Sequence, residues 1–429
     1  MHPTLFARPL ALLLALAAAP ALATGPAPDA TWRLVDQVSA AELFGVQRRI
    51  FHPTLTVGGA YTDNLFNTRS DREGDYSVRL APGFWLAVPG TEEVATGLVT
   101  SPTTPGGVAV TREVEGGTQR LQGSLRYGAV VERFADFSGE NTVEHLAEGA
   151  LALNLRGGLG VDLADQFQRS QDSRGSGTST DLDRFHTNLA SGAVRFAAGP
   201  RLGLGLTFSH FLVDYLDARN DARDRRDLMG AGTVAYRLTA KTAMFAQYQW
   251  LDVRYAEDTG ADSREDHVFG GVTWRATAKS KGEIKLGWGR KRFAGSGVDD
   301  STNVLVQARV AHAFTPKTAL SLVGSRRTEE TDVPGTDYTL THRTGLRLTQ
   351  QLALRLRGNL DLTFADVGYL GGAGPDRRDR LYGTGAGLRY AFLRWLRGDL
   401  AYTHTRRDSN GEAFDYRANS VLATITAEL

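Results

Sequence analysis

Apolar and polar residues alternate with a period of two through most of this chain, on both sides of charged loops. From position 77 to 88, one parity carries Val78, Leu80, Pro82, Phe84, Leu86 and Val88, and the other begins with Ser77, Arg79, Ala81 and Gly83. Successive side chains of a strand point to opposite faces, so such a strand has one apolar face and one more polar face. The pattern fits a soluble sandwich, whose apolar faces meet in a core, or a membrane barrel, whose apolar faces meet lipid.

The first residues predict export from the cytoplasm. Arg8 precedes an apolar run over 10–19, and Ala-Leu-Ala at 21–23 is typical of a signal-peptidase site, so we predict a signal peptide over 1–23. No other apolar run approaches the roughly 20 residues that a membrane-spanning helix needs. The sequence contains no cysteine, which excludes disulfides, thiolate metal ligands and cysteine nucleophiles.

The rest of the chain divides into eighteen strand-like runs. They cover 50–62, 75–88, 118–134, 142–156, 158–168, 184–198, 201–216, 228–240, 242–256, 265–278, 282–294, 302–314, 318–330, 337–350, 352–367, 380–393, 396–406 and 414–429. Tiny connections at 156–158, 239–242, 315–318, 350–351 and 394–395 alternate with longer charged ones at 172–181, 217–227 and 374–380. Short turns at one end and long loops at the other are typical of outer-membrane barrels.

Side-chain parity favours the barrel over the sandwich. Leu354, Leu356, Leu360, Leu362 and Phe364 oppose Arg355, Arg357, Asn359, Asp361 and Thr363. A charged inner face requires a water-filled lumen. We therefore predict an all-β fold, a single antiparallel transmembrane β-barrel of about eighteen strands of the bacterial outer-membrane type, located in the outer membrane of a Gram-negative bacterium.

One long segment interrupts the short-turn end. Residues 89–117 contain two strand-like pieces around Ser-Pro-Thr-Thr-Pro-Gly-Gly. We interpret the segment as a hairpin that either projects into the periplasm or folds into the lumen, with two further barrel strands as the alternative. The predicted organisation is thus a signal peptide over 1–23, a periplasmic lead over 24–49 and a barrel over 50–429 that carries this insertion.

The first predicted hairpin also carries a resemblance to a known family. It reads Tyr-Thr-Asp-Asn-Leu-Phe at 61–66, then an acidic residue shortly before Ser-x-Arg-Leu-Ala-Pro-Gly at 77–83. This stretch resembles the outer-membrane β-barrel porins found with exopolysaccharide and exosortase gene clusters. The resemblance implies an outer-membrane pore for export of a secreted polysaccharide. In physical terms Asp63 and Asn64 can cap backbone groups at a strand end, which is a structural role.

No residue pattern indicates catalysis or metal binding. Eight histidines lie on eight different runs, and Ser209 and His210 are strand neighbours whose side chains point to opposite faces. A nucleophile and base cannot pair directly in that arrangement. We therefore predict no enzyme activity, no catalytic residues, no cofactor and no metal site.

Basic residues of lumen parity concentrate near the short-turn end. We name them the basic collar, and they are Arg195, Arg237, Arg275, Lys285, Arg309, Arg347, Arg355, Arg357, Arg389 and Arg397. The collar would concentrate an anionic polymer at the periplasmic mouth, because a low-dielectric wall focuses the field of clustered charge. The alternative is that these residues pair with carboxylates across strands and only fill a wide barrel.

Three functions remain open at this point, beside an outer-membrane enzyme, which no residue pattern favours. The first is a conduit for a secreted exopolysaccharide or capsular polysaccharide, the second a passive porin for small solutes, and the third a non-conducting docking barrel for an export complex. The expected partners are outer-membrane lipid and lipopolysaccharide, the barrel-insertion machinery, a periplasmic polysaccharide-export protein and anionic polysaccharide. Nucleic acid is not among them.

Overall fold

A computed structural model describes residues 50–88, 98–111, 120–172, 182–257, 261–277, 279–295, 299–331, 333, 335–372 and 377–428. The predicted signal peptide over 1–23 and the lead over 24–49 lie outside these residues. So do parts of the insertion and of several long loops. In the described part of the chain, no helix has the length and apolar character needed to cross a membrane.

The described residues form twenty strands, and eighteen of them make one antiparallel sheet. The strands are β1 (Phe51–Thr62), β2 (Asp75–Val88), β3 (Leu98–Thr100), β4 (Val108–Thr111), β5 (Leu121–Phe134), β6 (Thr142–Asn154), β7 (Leu159–Gln171), β8 (Arg184–Ala198), β9 (Leu202–Tyr215), β10 (Arg225–Thr239), β11 (Thr242–Tyr255), β12 (Ser263–Thr277), β13 (Ser280–Phe293), β14 (Ser301–Thr315), β15 (Thr318–Glu329), β16 (Tyr338–Ala353), β17 (Leu356–Leu370), β18 (Arg378–Leu393), β19 (Leu396–Ser409) and β20 (Tyr416–Glu428).

Each barrel strand pairs with its neighbour along the chain, and β1 pairs with both β2 and β20. The sheet is therefore closed, and β3 and β4 form a separate two-stranded sheet. Closure leaves no unpaired sheet edge in lipid, which is the condition for a β-structure to span a membrane. The prediction of a single eighteen-stranded antiparallel barrel is confirmed.

The two faces of the wall differ as the alternation predicted. Large apolar residues on the outer face are well exposed, for example Leu206 at 68% and Trp288 at 67%. The inner face of the same strands carries polar and small residues, and many of these are buried, such as Thr56 and Ser209. The outer face is suited to lipid and the inner face to a polar lumen.

Three strand boundaries differ from the prediction. The turn expected at 350–351 lies at 354–355, because β16 continues to Ala353. At the opposite end of the barrel, β10 begins at Arg225 and β18 at Arg378, inside segments that we predicted as loops over 217–227 and 374–380. In both segments consecutive charged residues resemble a solvated loop, but they continue the strand ladder.

The Asp-Asn pair of the first hairpin joins the two ends of the barrel. Asp63 accepts hydrogen bonds of 2.6 Å from the backbone and the side-chain amide of Asn419, which lies on the last strand. Asn64 donates to the backbone oxygens of Thr68 and Arg417 at 2.8 and 2.9 Å. The residues that carry the family resemblance therefore cap strand-end groups and close β1 against β20.

Candidate functional site in the lumen

The hairpin of β3 and β4, with its turn at 101–107, lies inside the barrel. We call residues 98–111 the lumen hairpin. It belongs to the connection between β2 and β5 at the short-turn end, yet its turn contacts residues at the long-loop end. The backbone N–H of Gly106 donates to Asp227 at 2.8 Å, and the Arg225 guanidinium donates to the Thr104 carbonyl at 3.3 Å. The hairpin therefore reaches into the half of the lumen nearest the long loops, which we call the long-loop half.

The conformation of the turn depends on its two glycines. Gly106 and Gly107 have φ angles of +71° and +76°, a region that side chains with a Cβ rarely adopt. The turn is closed by hydrogen bonds from Thr104 N to Ser101 O and from Gly107 N to Thr104 O. A Cβ on Gly107 would lie 2.3 Å from the ring of Phe211, so the glycine is also required for contact with the wall.

An apolar cluster on β8 and β9 receives one side of the hairpin. The cluster consists of Phe185, Leu189, Phe211, Val213 and Tyr215, and Val108 packs against it. Leu189 and Phe211 are fully buried although they face the lumen side of their strands. Apolar residues on the inner face of a barrel are explained here by their contact with the hairpin.

A chain of polar contacts holds the start of the turn to the neighbouring strands β5–β7. The Thr100 hydroxyl donates to Gln166 on β7 at 2.7 Å, and Gln166 donates to Glu148 on β6 at 2.6 Å. Glu148 in turn forms an ion pair with Arg126 on β5 at 3.5 Å. Three neighbouring strands thus contribute to one anchor of the hairpin.

A buried ionic cluster lies behind the tip of the turn. The backbone N–H of Glu330, which follows β15, donates to the Thr103 carbonyl at 2.7 Å. The Glu330 carboxylate accepts from Tyr255 at 2.8 Å and forms an ion pair with Lys291. Lys291 also pairs with Glu265 at 3.1 Å, and both of these side chains are 1% exposed.

The anchors on β7 and after β15 are eight strands apart in a barrel of eighteen. Glu330, however, bends inward from the end of β15 and reaches Tyr255 and Lys291 on β11 and β13. The hairpin's contacts with the wall itself fall on the contiguous strands β7–β10. The hairpin takes up space in the long-loop half that water would otherwise fill.

Nine of the ten residues of the basic collar lie on strands and face the lumen, as their parity predicted. Five of them form ion pairs with carboxylates. Arg195 binds Asp162, Arg309 binds Glu283, and Arg347 binds Asp361. Arg389 binds Asp399, and Arg397 binds Glu428 at 3.0 Å. These five pairs connect lumen-facing residues of adjacent strands, as the pairing alternative predicted for at least part of the set.

Three of the other collar residues donate hydrogen bonds to neutral oxygens. Arg237 donates to the Pro200 carbonyl at 2.9 Å, and Lys285 donates to Gln247 at 3.1 Å. Arg357 donates to Gln351 at 3.2 Å. Arg275 is exposed at the same end of β12.

The predicted strand position of Arg355 is wrong. The residue lies in the turn between β16 and β17 and donates to the Phe392 carbonyl at 3.1 Å, because the turn falls at 354–355 and not at 350–351. A turn residue does not follow the alternation of the strands, so parity cannot assign it to the lumen.

Comparison with known proteins identifies the family. The family model described as "Putative beta-barrel porin 2" matches residues 107–429, well over half of the chain. The chain belongs to this porin family. The match includes β4 of the lumen hairpin and β5–β20, whereas the resemblance noted in the sequence rests on the first hairpin, which precedes the matched region.

Similar solved structures are outer-membrane proteins of Pseudomonas aeruginosa. OccK2 (OpdF) is 11% identical with a TM-score of 0.45, covering 89% of this chain and 97% of that one. The outer membrane protein opdK is 10% identical with a TM-score of 0.43, covering 88% and 99%. The ferric enterobactin receptor PfeA is 9% identical with a TM-score of 0.41, covering 89% and 80%. A search of curated proteins found no match.

Sequence reasoning missed the residues that receive the hairpin. Arg225 and Asp227 were assigned to a loop, and Phe211 was read as one more strand residue. One signal was available, because Phe211, Val213 and Tyr215 place large apolar side chains on the lumen parity of β9. Within the described residues, no group of three or more His, Cys, Asp or Glu is arranged to hold a metal ion.

Proposed function

We propose that this porin is a channel that the lumen hairpin closes, and that its open form passes a secreted polysaccharide across the outer membrane. The observation that carries the proposal is the hairpin itself, which lies inside the lumen and is anchored to β7, to β10 and to the inward-bent Glu330. A passive porin needs a permanently open path for small solutes. A conduit for a polymer needs to be closed when no polymer is being secreted, because a wide open pore would leak.

The contacts of the hairpin suit a gate that can leave its site. Its tip is held by three hydrogen bonds, to Asp227, Arg225 and Glu330, and by packing on Phe211. Hydrogen bonds of this kind contribute on the order of 1 kcal/mol each, and somewhat more with charged partners. A partner that binds the hairpin at the short-turn end could supply enough free energy to break these hydrogen bonds. We propose this role for the expected periplasmic export protein.

The short-turn half of the lumen supports an anionic cargo. The ten collar positions include nine on lumen-facing strands, and five of these nine pair with carboxylates. Positive charge therefore remains in excess at Arg237 and Lys285, which donate to neutral oxygens. Such a wall attracts acidic groups without binding them so tightly that a long chain would stop moving.

A disulfide across the gate tests whether the hairpin must move. A Cβ built on Gly106 lies 3.7 Å from the Cβ of Met229 on β10, within the range of disulfide geometry. The chain has no native cysteine, so Gly106→Cys with Met229→Cys introduces one defined pair. We expect the oxidised variant to secrete no polymer in the native host and to give no openings in planar bilayers. Reduction should restore both.

The matched control places a disulfide in the wall. Gly203 and Ala235 face the lumen on β9 and β10, and a Cβ on Gly203 lies 3.8 Å from that of Ala235. Gly203→Cys with Ala235→Cys should leave secretion and conductance unchanged. If the gate disulfide forms and secretion continues, the proposal fails.

Two further outcomes distinguish the alternatives. A gate disulfide that leaves conductance and the uptake of small solutes unchanged would indicate a passive porin whose path stays open beside the hairpin. A wild-type protein that never conducts, and whose hairpin can be deleted without gain of conductance, would indicate a docking barrel. Conductance gained on replacing 91–117 by a short Gly-Ser turn is the result that we expect.

A further inference from the structure

Arginines replace apolar residues on the outer face of the barrel as the strands reach the long-loop end. On β13, Ile284, Leu286 and Trp288 point outward and are followed on the same parity by Arg290 and Arg292. The same change occurs on β10–β13 and on β15 and β18–β20. We name these residues the arginine belt, and they are Arg226, Arg254, Arg264, Arg290, Arg292, Arg326, Arg378, Arg380, Arg406 and Arg417.

The strand register places arginine directly opposite arginine in this belt. Arg226 faces Arg254, Arg264 faces Arg292, and Arg406 faces Arg417. Like charges directly opposite each other on adjacent strands destabilise a sheet. Three such pairs on the outer face of one barrel call for a compensating anion.

The protein supplies only part of that compensation. Asp252 binds Arg254 and Arg264, Asp266 binds Arg292, and Asp366 binds Arg378. Arg226, Arg380 and Arg417 form no hydrogen bond or ion pair through their side chains with any residue that the structure describes. Asp408 binds Arg406 and Asp300 binds Arg290, and Arg264 and Arg406 remain 58% and 60% exposed within their ion pairs. The belt therefore carries guanidinium groups that are available to an external ligand.

The choice of arginine indicates the chemistry of the ligand. The chain has six lysines, and none lies in the belt: Lys285 and Lys291 face the lumen, and Lys241, Lys279, Lys281 and Lys317 lie at or beside the short turns. Arginine presents a planar set of donors that binds phosphate through two parallel hydrogen bonds, whereas lysine acts as a point charge. A belt made of arginine alone suits phosphate.

The location of the belt indicates that the phosphate belongs to a lipid. The belt arginines lie one or two steps of two residues beyond the last apolar residue of the outer face, which is about 7–14 Å along a strand. Arginine side chains at such a boundary extend from the apolar layer toward the polar headgroups. In an outer-membrane barrel the long loops face the cell exterior, so these headgroups are those of the outer leaflet.

We propose that the arginine belt binds the phosphate groups of phosphorylated outer-leaflet lipid, with one phosphate between the two arginines of each facing pair. The bound lipid would neutralise the cross-strand repulsion and fix the height of the barrel in the membrane. This binding surface is independent of the gate and of the cargo.

The test uses purified protein in dodecylmaltoside micelles and bis-phosphorylated lipid A as the probe. Lipid bound per barrel is counted by native mass spectrometry during a titration. We expect Arg226→Gln with Arg254→Gln, and separately Arg406→Gln with Arg417→Gln, to weaken binding at least about tenfold each, since charge-assisted hydrogen bonds are lost. Arg226→Lys with Arg254→Lys should give an intermediate loss, because charge is kept and the paired donors are not.

Two controls separate this proposal from a general charge effect. Arg237→Gln with Lys285→Gln removes the same charge from the lumen and should leave lipid binding unchanged. Dephosphorylated lipid A should bind the wild-type barrel at least about tenfold more weakly than the phosphorylated form. Folding of each variant is checked by the change in gel mobility on heating.

Three results would overturn the proposal. They are equal binding of dephosphorylated lipid by the wild-type barrel, unchanged binding by both folded double Gln variants, and stabilisation by sodium phosphate alone equal to that by the lipid. The last result would indicate a free-anion site instead. The wild-type comparison requires no variant, so a failure of the Gln variants to fold does not prevent a decision.

Discussion

The two halves of the lumen use the same kinds of charged residue in different surroundings. In the long-loop half, Lys291 and Glu265 are 1% exposed, and Asp227 is fully buried. In the short-turn half, Arg195 is 48% exposed, and Arg309 and Glu283 are about 30% exposed. An ion pair in contact with water contributes little to stability, whereas a buried charge that loses its partner is costly. The charged residues of the long-loop half are buried under the lumen hairpin and Glu330, and we therefore infer that they stabilise the structure. Those named in the short-turn half contact water and line the channel.

The largest expected effect comes from breaking one ion pair in each half. Lys291→Ala leaves Glu265 and Glu330 buried without their shared partner, and we expect a loss of about 3–5 kcal/mol in the free energy of unfolding. Arg309→Ala breaks a half-exposed pair with Glu283 and should cost about 0–1 kcal/mol. Urea unfolding in lipid vesicles, followed by tryptophan fluorescence, measures both. Equal losses in the two variants would show that the halves do not differ in the way described.

The second effect concerns the fit of the hairpin tip. Gly107→Ala introduces a Cβ that would lie 2.3 Å from the Phe211 ring, at a φ of +76°. Gly157→Ala is the matched control, because its φ is +81° and no atom lies within 4 Å of the added Cβ. Both variants carry the backbone cost of about 1–2 kcal/mol, but only the first also displaces the docked hairpin. We expect a several-fold increase in channel open probability for Gly107→Ala alone. An equal increase in the two would assign the effect to the backbone and not to the contact.

The fold could be predicted from the sequence, because the features that decide it are local and repeated. Alternation, turn length and strand number are all visible in the order of residues, as at 77–88. The docking site of the lumen hairpin could not be predicted, because it depends on which strands of the wall the hairpin contacts. Nothing near Asp227 in the sequence indicates that Gly106, more than a hundred residues earlier, donates to its carboxylate.

The two errors in the strand boundaries at the long-loop end have a common physical cause. Arg225, Asp227, Arg378 and Arg380 were assigned to charged loops, since charge runs between strands are normally solvated. At the long-loop end, however, the strands continue beyond the apolar layer, and charged residues remain in the ladder. These positions carry the hairpin dock on the inner face and the arginine belt on the outer face. Assigning every run of charged residues to a loop therefore gives the wrong secondary structure at the residues that hold the hairpin and form the belt.

A third prediction sharpens the comparison in the short-turn half. Arg237 and Lys285 donate to neutral oxygens, whereas Arg195 is balanced by Asp162. Arg237→Gln with Lys285→Gln should reduce the anion preference of the open channel, and Arg195→Gln with Asp162→Asn should change it less. The preference should also weaken as salt rises, because charges in water are screened beyond about 10 Å at 0.1 M. Reversal potentials across a salt gradient measure each case. A wild-type channel that prefers cations would contradict the proposed role of the collar.

The smallest effect is expected outside the membrane, in the loop that joins β9 to β10. Burial raises the pKa of Asp224 to about 6, and Asp214, Asp221 and Glu257 add to the rise, while a hydrogen bond from the Tyr215 backbone N–H opposes it. Because the folded pKa lies above the unfolded one, protonation stabilises the loop. That contribution is complete below about pH 4 and is lost as pH rises through 6. Limited proteolysis of the loop, expressed as the ratio of wild-type to Asp224→Asn cleavage rates, should therefore rise a few-fold between pH 5 and pH 7. Asp221→Asn provides the control, since it removes a neighbouring charge and leaves the carboxyl of Asp224 in place. A ratio of cleavage rates that does not change between pH 5 and pH 7 would show that Asp224 is already ionised at pH 5 in the folded loop. Its carboxylate would then be as accessible to solvent as the charged residues of the short-turn half.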